Sequence, residues 1–111
     1  MESKLDRWAP HYSLVADIEI TDMHLGVQIK ARTTMLSPLG CVVDTLELFP
    51  KGLSVSVKLF HRGAEVRARG RVLYARPDLG MGLAFTNLER EAKRILDHWM
   101  GEFVSITARR Y

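Results

Sequence analysis

The chain has 111 residues, of which 47% are hydrophobic and 26% are charged, and this balance excludes a disordered chain and predicts one globular domain with its own core. No apolar run approaches the roughly 20 residues that a membrane helix needs, and residues 1–12 lack the apolar segment of a secretory signal. Cys41 is the sole cysteine, which excludes an internal disulfide and fits a reducing cytoplasm, and the net charge of +3 suits a polyanionic or phosphate-bearing partner.

Residues 1–11 are predicted to form an extended N-terminal arm. Most of them are polar, and Pro10 disfavours a helical conformation at the residue before it. The arm carries the basic residues Arg7 and His11 and the aromatic residue Trp8. A solvated tail accounts for this composition, and so does a segment that contacts a ligand.

Residues 12–85 alternate between apolar and polar side chains, which is the pattern of half-buried β-strands. Turn-forming residues separate the alternating stretches at intervals of about eight to twelve residues, which is typical of a small antiparallel barrel. The Arg62-Gly63 pair is expected to close a hairpin between two of them. In the second stretch, Ile29, Thr33 and Met35 share one phase and are predicted to share one face. The predicted strands are residues 12–21, 27–35, 41–45, 53–60, 65–74 and 81–85.

The fifth predicted strand carries a stripe of arginines on one face. Arg67, Arg69 and Arg71 recur at every second position, opposite in phase to the apolar residues of the same strand. A solvated outer face of the barrel explains such a stripe, and a surface for phosphates or for a protein partner is the alternative. Nucleic acid is less favoured, because aromatic side chains are not interleaved with these arginines.

The stretch Thr33–Cys41 interrupts the alternation with turn-forming residues. Ser37 and Pro38 favour a turn, and Gly40 can adopt a positive φ that other residues resist. The stretch therefore predicts a strand, a tight turn and a second strand. An ordinary hairpin connection accounts for it when it is considered alone.

Beyond the last predicted strand the apolar spacing changes to that of an α-helix. Thr86 and Glu89 fit a capping box, and Gly101 occupies a position where helices commonly end. The predicted helix spans residues 88–100, and residues 102–111 fit a seventh strand or a pairing tail. The buried face of the helix is predicted to contain Leu88, Ala92, Ile95 and Trp99.

These elements predict a mainly β fold, a six- to seven-stranded antiparallel β-barrel with one C-terminal α-helix. The predicted division is an arm at residues 1–11, the barrel and helix at residues 12–101, and a tail at residues 102–111. The histidines lack the paired spacing of metal ligands, and Cys41 has no partner cysteine. Neither a nucleophile elbow nor a phosphate-binding P-loop is present. We therefore expect a binding module that is not an enzyme and that needs no metal or cofactor.

Four features follow one another along the chain. They are an arm with Arg7 three residues before Pro10, a strand that begins at residues 11–14, the turn LSPLGCVVDT at residues 36–45, and the segment Leu79–Phe85 followed by a helix. In this order they resemble the PilZ domain, a bacterial module whose usual ligand is the second messenger cyclic di-GMP (c-di-GMP). The resemblance covers about residues 5–101 and implies a PilZ-like β-barrel.

The resemblance also implies where a ligand would be held. The family has an R-x-x-x-R motif in the arm, which clamps phosphates and contacts guanine, and a D/N-x-S-x-x-G motif in the turn. In this chain the second arginine of the arm motif is His11, and the first residue of the turn motif is Met35. The candidate ligand-binding residues are Arg7, Trp8, His11, Met35, Ser37 and Gly40.

Both departures from the family motifs remove hydrogen bonds that a ligand would use. Arginine is a permanently charged fork of donors, whereas histidine is mostly neutral at pH 7. A methionine thioether scarcely accepts a hydrogen bond from a guanine N–H. Losing one charged and one neutral hydrogen bond costs about 2.5–4 kcal/mol, which is on the order of a hundredfold to a thousandfold in affinity. Stacking of Trp8 on a purine, or a cation from Lys4 or the arginine stripe, would offset part of this loss.

Two functions are compatible with the resemblance. One is a non-enzymatic regulatory module of c-di-GMP signalling whose direct ligand binding is impaired and which acts through contacts with an unidentified signalling or motility protein. The other is a functional c-di-GMP receptor that uses Arg7, Ser37 and Gly40 with non-standard helper residues. Both are expected in the cytoplasm. The basic sheet face and a C-terminal pairing strand would also be compatible with a homodimer.

Overall fold

The computed structural model describes the backbone of residues 12–108 and the side chains of residues 12–102. The elements are β1 Asp17–Asp22, β2 Gln28–Ser37, β3 Gly40–Asp44, β4 Ser54–His61, β5 Ala64–Arg76, β6 Gly80–Leu88 and α1 Arg90–Ala108. These six strands form a closed antiparallel barrel in the order β1-β2-β3-β6-β5-β4. The predicted fold class is confirmed, and six is the strand number in the described part of the chain.

The alternating pattern directs one side of each strand into the barrel. On β1, Ile18 and Ile20 are fully buried, and they pair with Leu59 and Val57 on β4. This pairing of β1 with β4 closes the barrel and leaves neither strand as a free edge. Branched apolar side chains fit this pleated, crowded interior, which explains why the period-two pattern predicted the strands.

The predicted hairpin at Arg62-Gly63 is confirmed. His61 pairs with Ala64, so two residues form the loop between β4 and β5. Both loop residues have positive φ, 51° at Arg62 and 78° at Gly63, as a type I′ turn requires. The turn twist matches the twist of the two strands, and this match fixes their register locally.

Residues 45–53 connect β3 to β4 across one end of the barrel. Phe49 from this connection is buried, and its N–H donates to the Sδ atom of Met81 at 3.2 Å. The β2–β3 turn lies at the opposite end, because β3 begins there and finishes beside Phe49. Phe49 therefore covers the end of the barrel opposite the β2–β3 turn, which carries the candidate site.

The predicted capping box at the start of the helix is wrong. Residues 86–88 continue β6, where Asn87 pairs with Arg69 and Leu88 pairs with Ala68 on the long strand β5. Pairing with β5 keeps this segment extended, so α1 begins only at Arg90. The first helical hydrogen bond beyond the strand runs from the N–H of Lys93 to the carbonyl of Glu89, at 2.9 Å.

The predicted end of the helix at Gly101 is also wrong, as is the strand proposed for the residues that follow it up to residue 108. The helix continues through Gly101 to Ala108. Glu102 contributes to this continuation, because its carboxylate accepts a hydrogen bond from Arg62 at 3.0 Å and lies 3.1 Å from Nε2 of His98, one helical turn earlier. Residues 109–111 lie outside the described part of the chain.

Trp99 anchors the helix to the barrel, as its position in the predicted apolar face indicated. It is 3% exposed, and its ring meets the ring of His61 edge to face, with centroids 5.2 Å apart. Ala92 and Leu96 are buried on the same helical face. The helix therefore covers the side of the barrel near the β4–β5 hairpin.

The helix of the described residues is not apolar enough over its length to span a membrane. The arm predicted at residues 1–11 lies outside the described residues. The division of the chain into arm, barrel and tail stays a prediction.

Candidate ligand site at the β2–β3 turn

The turn between β2 and β3 is a second two-residue hairpin. Ser37 pairs with Gly40, and Pro38 and Leu39 form the loop. The Ser37 hydroxyl accepts a hydrogen bond from the N–H of Leu39 at 3.1 Å, and Ser37 is 2% exposed. The motif serine thus stabilises the turn from within.

Gly40 is required by a close approach of two strands. A Cβ atom at this position would lie 2.0 Å from the carbonyl oxygen of Leu83 on β6. The predicted positive φ is absent, because the positive-φ glycines of the described chain are Gly26, Gly52, Gly63 and Gly80. The prediction identified the correct residue type for the wrong reason, since the constraint comes from β6, far away in sequence.

Met35 lies on the outer side of the barrel because of a bulge in β2. Between Thr33 and Met35 the register of β2 against β3 shifts by one residue. Leu36 is therefore buried opposite Cys41, while Met35 is half-buried opposite Val42. The predicted shared face of Thr33 and Met35 is wrong, and the bulge explains the change of phase.

Thr33 holds the segment that enters the barrel. Its buried hydroxyl donates to the carbonyl of Leu14 at 2.8 Å and accepts from the N–H of Ala16 at 2.9 Å. Two backbone groups that lack strand partners are thereby satisfied. The segment before β1 is consequently fixed against β2, next to the candidate site.

The described part of the chain begins beside the turn. Tyr12, the first described residue, forms a bridge with Leu36, with N–H to carbonyl distances of 2.9 and 2.8 Å in the two directions. The predicted site residues Arg7, Trp8 and His11 lie outside the described residues. The turn brings Met35, Ser37 and Gly40 together, and the predicted arm ends at His11, one residue before the bridge.

Arg71 lies on a cross-strand row with Gly40. Gly40 pairs with Ala84 on β6, and Ala84 pairs with Arg71 on β5. Neighbouring strands are about 4.8 Å apart, so the backbone of Arg71 is about 10 Å from that of Gly40. Arg71 is exposed and forms no ion pair among the described residues. A cation is thus available two strands from the turn.

Tyr74 extends the surface around Met35, and the sequence did not indicate it. Its ring covers Gly82, since a Cβ on that glycine would lie 2.2 Å from a ring carbon. Gly82 pairs with Val42, which pairs with Met35. An aromatic residue over a cross-strand glycine is a recurrent device in sheets. Its one signal in the sequence was an aromatic residue late in the fifth strand, and the pairing with Gly82 depended on the bulge in β5 between Val72 and Tyr74.

The side chains around the turn include one buried thiol. Burial raises the pKa of the Cys41 thiol to about 12, so this side chain stays protonated and unreactive. Among the side chains that the structure describes, no three His, Cys, Asp or Glu residues are grouped to hold a metal ion. Hydrogen-bonding groups, a thioether and an aromatic ring remain for recognition.

The family follows from the sequence and agrees with this geometry. The family model for the PilZ domain matches residues 7–102. The chain belongs to the PilZ domain family. The match begins at Arg7 and includes the described barrel up to Glu102, so the resemblance inferred over residues 5–101 is confirmed. PilZ domains are regulatory binding modules.

Solved structures share this fold at low sequence identity. The Bacillus subtilis inhibitor of motility, MotI/DgrA, has a TM-score of 0.68 and 14% identity over 89% of this chain and 50% of its own. The PilZ domain of CeSA from a cellulose-synthesizing bacterium has a TM-score of 0.64 and 15% identity over 81% and 93%. The PilZ domain of YcgR from Escherichia coli, solved with c-di-GMP, has a TM-score of 0.68 and 10% identity over 94% and 95%. The chain spans about half the length of the MotI structure. A comparison of this chain with curated proteins found no match.

Proposed function

We propose that this chain is a non-enzymatic regulatory module of c-di-GMP signalling in which direct binding of the dinucleotide is weakened and protein contacts carry the signal. The family supports the signalling system. The observation that carries the proposal is Met35, which faces outward at the first position of the turn motif. The module would act in the cytoplasm, where a second messenger is encountered.

The weakening follows from the groups around the turn. A carboxylate or amide at position 35 would accept from a guanine N–H, whereas the Met35 thioether accepts poorly. The Ser37 hydroxyl already accepts a hydrogen bond within the turn. In the arm, His11 replaces an arginine and is mostly neutral at pH 7. The ligand would therefore lose about 2.5–4 kcal/mol of hydrogen bonding, or on the order of a hundredfold to a thousandfold in affinity.

Calorimetric titration of the purified protein with c-di-GMP tests this proposal. We expect the double variant Met35→Asp with His11→Arg to bind the dinucleotide on the order of a hundredfold to a thousandfold more tightly than the unmodified protein. Both substitutions restore the residue types of the family motifs. A dissociation constant at or below micromolar for the unmodified protein would contradict the proposal.

A matched control is available at the other end of the barrel. Met23 and His24 are adjacent and exposed in the β1–β2 turn. The variant Met23→Asp with His24→Arg introduces the same two residue types and the same change in net charge. It should leave the titration unchanged, so that any gain seen with Met35→Asp and His11→Arg reports the turn and the arm.

The alternative function is a working c-di-GMP receptor with a substitute cation, and the row from Gly40 through Ala84 to Arg71 favours it. Arg71 is unpaired among the described residues, and its guanidinium could offset the loss of an arginine from the arm. If this alternative is correct, Arg71→Gln lowers c-di-GMP affinity at least about tenfold. Arg69→Gln is the control, because Arg69 lies one strand repeat further along β5 from that row.

The partner protein in the first function would belong to signalling or motility. The support for this class is the fold shared with MotI, which is described as an inhibitor of motility. A homodimer through a C-terminal strand has lost its main support, because residues up to Ala108 are helical.

A further inference from the structure

Two arginines on the outer face of β5 have no ionic partner among the described residues. Arg69 and Arg71 are exposed and point outward, in phase with each other. Arg69 lies between Ser56 on β4 and Asn87 on β6, and Arg71 lies opposite Ser54 on β4. On β6, Arg71 lies opposite Ala84. The residues that pair with the two arginines across the strands are therefore uncharged.

The third arginine of the stripe, Arg67, does have an ionic partner. Arg67 forms an ion pair with Glu65, which, with a smaller contribution from Glu89, raises the pKa of its guanidinium. Its neighbour across the strands is Lys58, which in turn lies opposite Glu19 on β1. Charge is therefore largely balanced around Arg67, and the positive potential of this face is concentrated at Arg69 and Arg71.

Unpaired arginines are the exception in this protein. Apart from Arg69 and Arg71, Arg90 alone among the described arginines lacks an acidic partner. The ion pairs formed by the others are Arg32–Asp17, Arg62–Glu102, Arg67–Glu65, Arg76–Asp78 and Arg94–Glu91. A face that served only solvation would be expected to carry mixed charges, as the face of Arg32 and Asp17 does.

We propose that Arg69 and Arg71 form a docking surface for an acidic segment of a partner protein, with two carboxylates separated by one residue. The inference rests on the proposed function, because it names the surface through which protein contacts are made. Residues two apart on a strand repeat at about 6.6–6.8 Å. An extended acidic segment along β5 repeats at the same distance, so each guanidinium faces one carboxylate and can bind it with two hydrogen bonds.

The neighbouring groups favour a peptide over a nucleic acid. Ser54, Ser56 and Asn87 offer hydrogen bonds to a peptide backbone. A depression of about 390 Å³ lies beside Arg69, and its one acidic lining residue, Glu89, is accompanied there by Arg67. Single-stranded nucleic acids are bound mainly by stacking of bases on aromatic side chains. The positions that flank Arg69 across the strands carry none. The groups around these arginines therefore match carboxylates on an extended chain.

Fluorescence anisotropy with a labelled synthetic peptide that alternates Glu and Ser tests the proposal, in the absence of c-di-GMP. We expect the protein to bind this probe and Arg69→Gln with Arg71→Gln to weaken binding about tenfold. The matched control is Lys30→Gln with Arg32→Gln, a pair at the same spacing on β2, across the barrel from β5. This control removes the same net charge and should change the affinity by less than about twofold. Circular dichroism melts check that both variants are folded.

Three results would overturn the proposal. They are no binding of the peptide, an equal loss of affinity in both double variants, and tighter binding of single-stranded oligothymidylate than of the peptide through the same two arginines. The proposed function fails separately, in the c-di-GMP titration. The single variant Arg69→Gln keeps the two results apart, because it should weaken peptide binding and leave dinucleotide binding unchanged.

Discussion

The two hairpin turns at the same end of the barrel are held by different forces. The β4–β5 turn consists of Arg62 and Gly63, both with positive φ, and nothing lies within 4 Å of a Cβ built on Gly63. The β2–β3 turn has Pro38 and Leu39 in its loop, and β6 contacts it directly. The N–H of Phe85 donates to the carbonyl of Leu39 at 2.7 Å.

The difference separates local from tertiary causes. The β4–β5 turn needs only the backbone freedom of its own residues, so its stability depends on dihedral preference. The β2–β3 turn depends on strands and segments that are distant in sequence, including β6 and the segment that enters β1. A candidate ligand site built on the second turn is therefore coupled to the whole barrel, and changes there should have larger effects.

The largest expected effect is that of an added methyl group at Gly40. Gly40→Ala would direct a Cβ into the carbonyl of Leu83, and the backbone of β3 or β6 would have to move. We expect a loss of about 3 kcal/mol in the free energy of unfolding, measured by urea denaturation. Gly63→Ala is the matched control, because it meets open space and carries only the cost of positive φ, about 1 kcal/mol. Equal losses in the two variants would mean that the stability of both turns depends only on the backbone preferences of their own residues.

The next largest effect is expected at Thr33, which holds the segment before β1 against β2. Thr33→Val preserves shape but leaves the Leu14 carbonyl and the Ala16 N–H without their hydroxyl partner. We expect a loss of about 2 kcal/mol in urea denaturation. Thr34→Val, next to it and exposed, should cost less than about 0.5 kcal/mol. A larger cost at Thr34 than at Thr33 would contradict the assigned hydrogen bonds.

A smaller effect is expected at the motif serine. Ser37→Ala removes the acceptor of the Leu39 N–H inside the turn and should lower the free energy of unfolding by about 1 kcal/mol. Ser13→Ala, at an exposed position, should be neutral in the same measurement. No loss in Ser37→Ala would indicate that this serine is kept for a ligand and not for the turn.

The smallest effect is expected at the start of α1, where a local pair acts on an exposed surface. Hydrogen bonding from Arg94 lowers the pKa of the Glu91 carboxyl from its ordinary value of 4.5. The pair therefore stabilises the protein above pH 4.5, and the benefit is lost as the pH falls through the lowered pKa. Glu91→Gln should reduce the urea midpoint slightly at pH 7 and not in strong acid. Glu47→Gln is the control, because the exposed Glu47 carboxylate has no ion pair among the described residues.

Several features of the fold were readable from residues alone. Alternation around Ile18, Val57 and Val66 identified strands because each has one face in the barrel and one in water. Arg62-Gly63 identified a hairpin because the turn type depends on its own two residues. Of the candidate site, the family motif pointed to Met35, Ser37 and Gly40, and these lie together at the turn.

Features that depend on residues distant in sequence were decided by the pairing of strands. Thr86 has the sequence of a helix cap, yet β5 is long enough to keep it in β6, and a bulge after Thr33 turns Met35 outward. The sequence by itself determined the period of the strands and limited their number to six or seven, because side-chain burial repeats along each strand. Only the tertiary structure decided why a glycine is required at position 40 and why Arg71 lies near the turn. Both features depend on which strands become neighbours when the barrel closes.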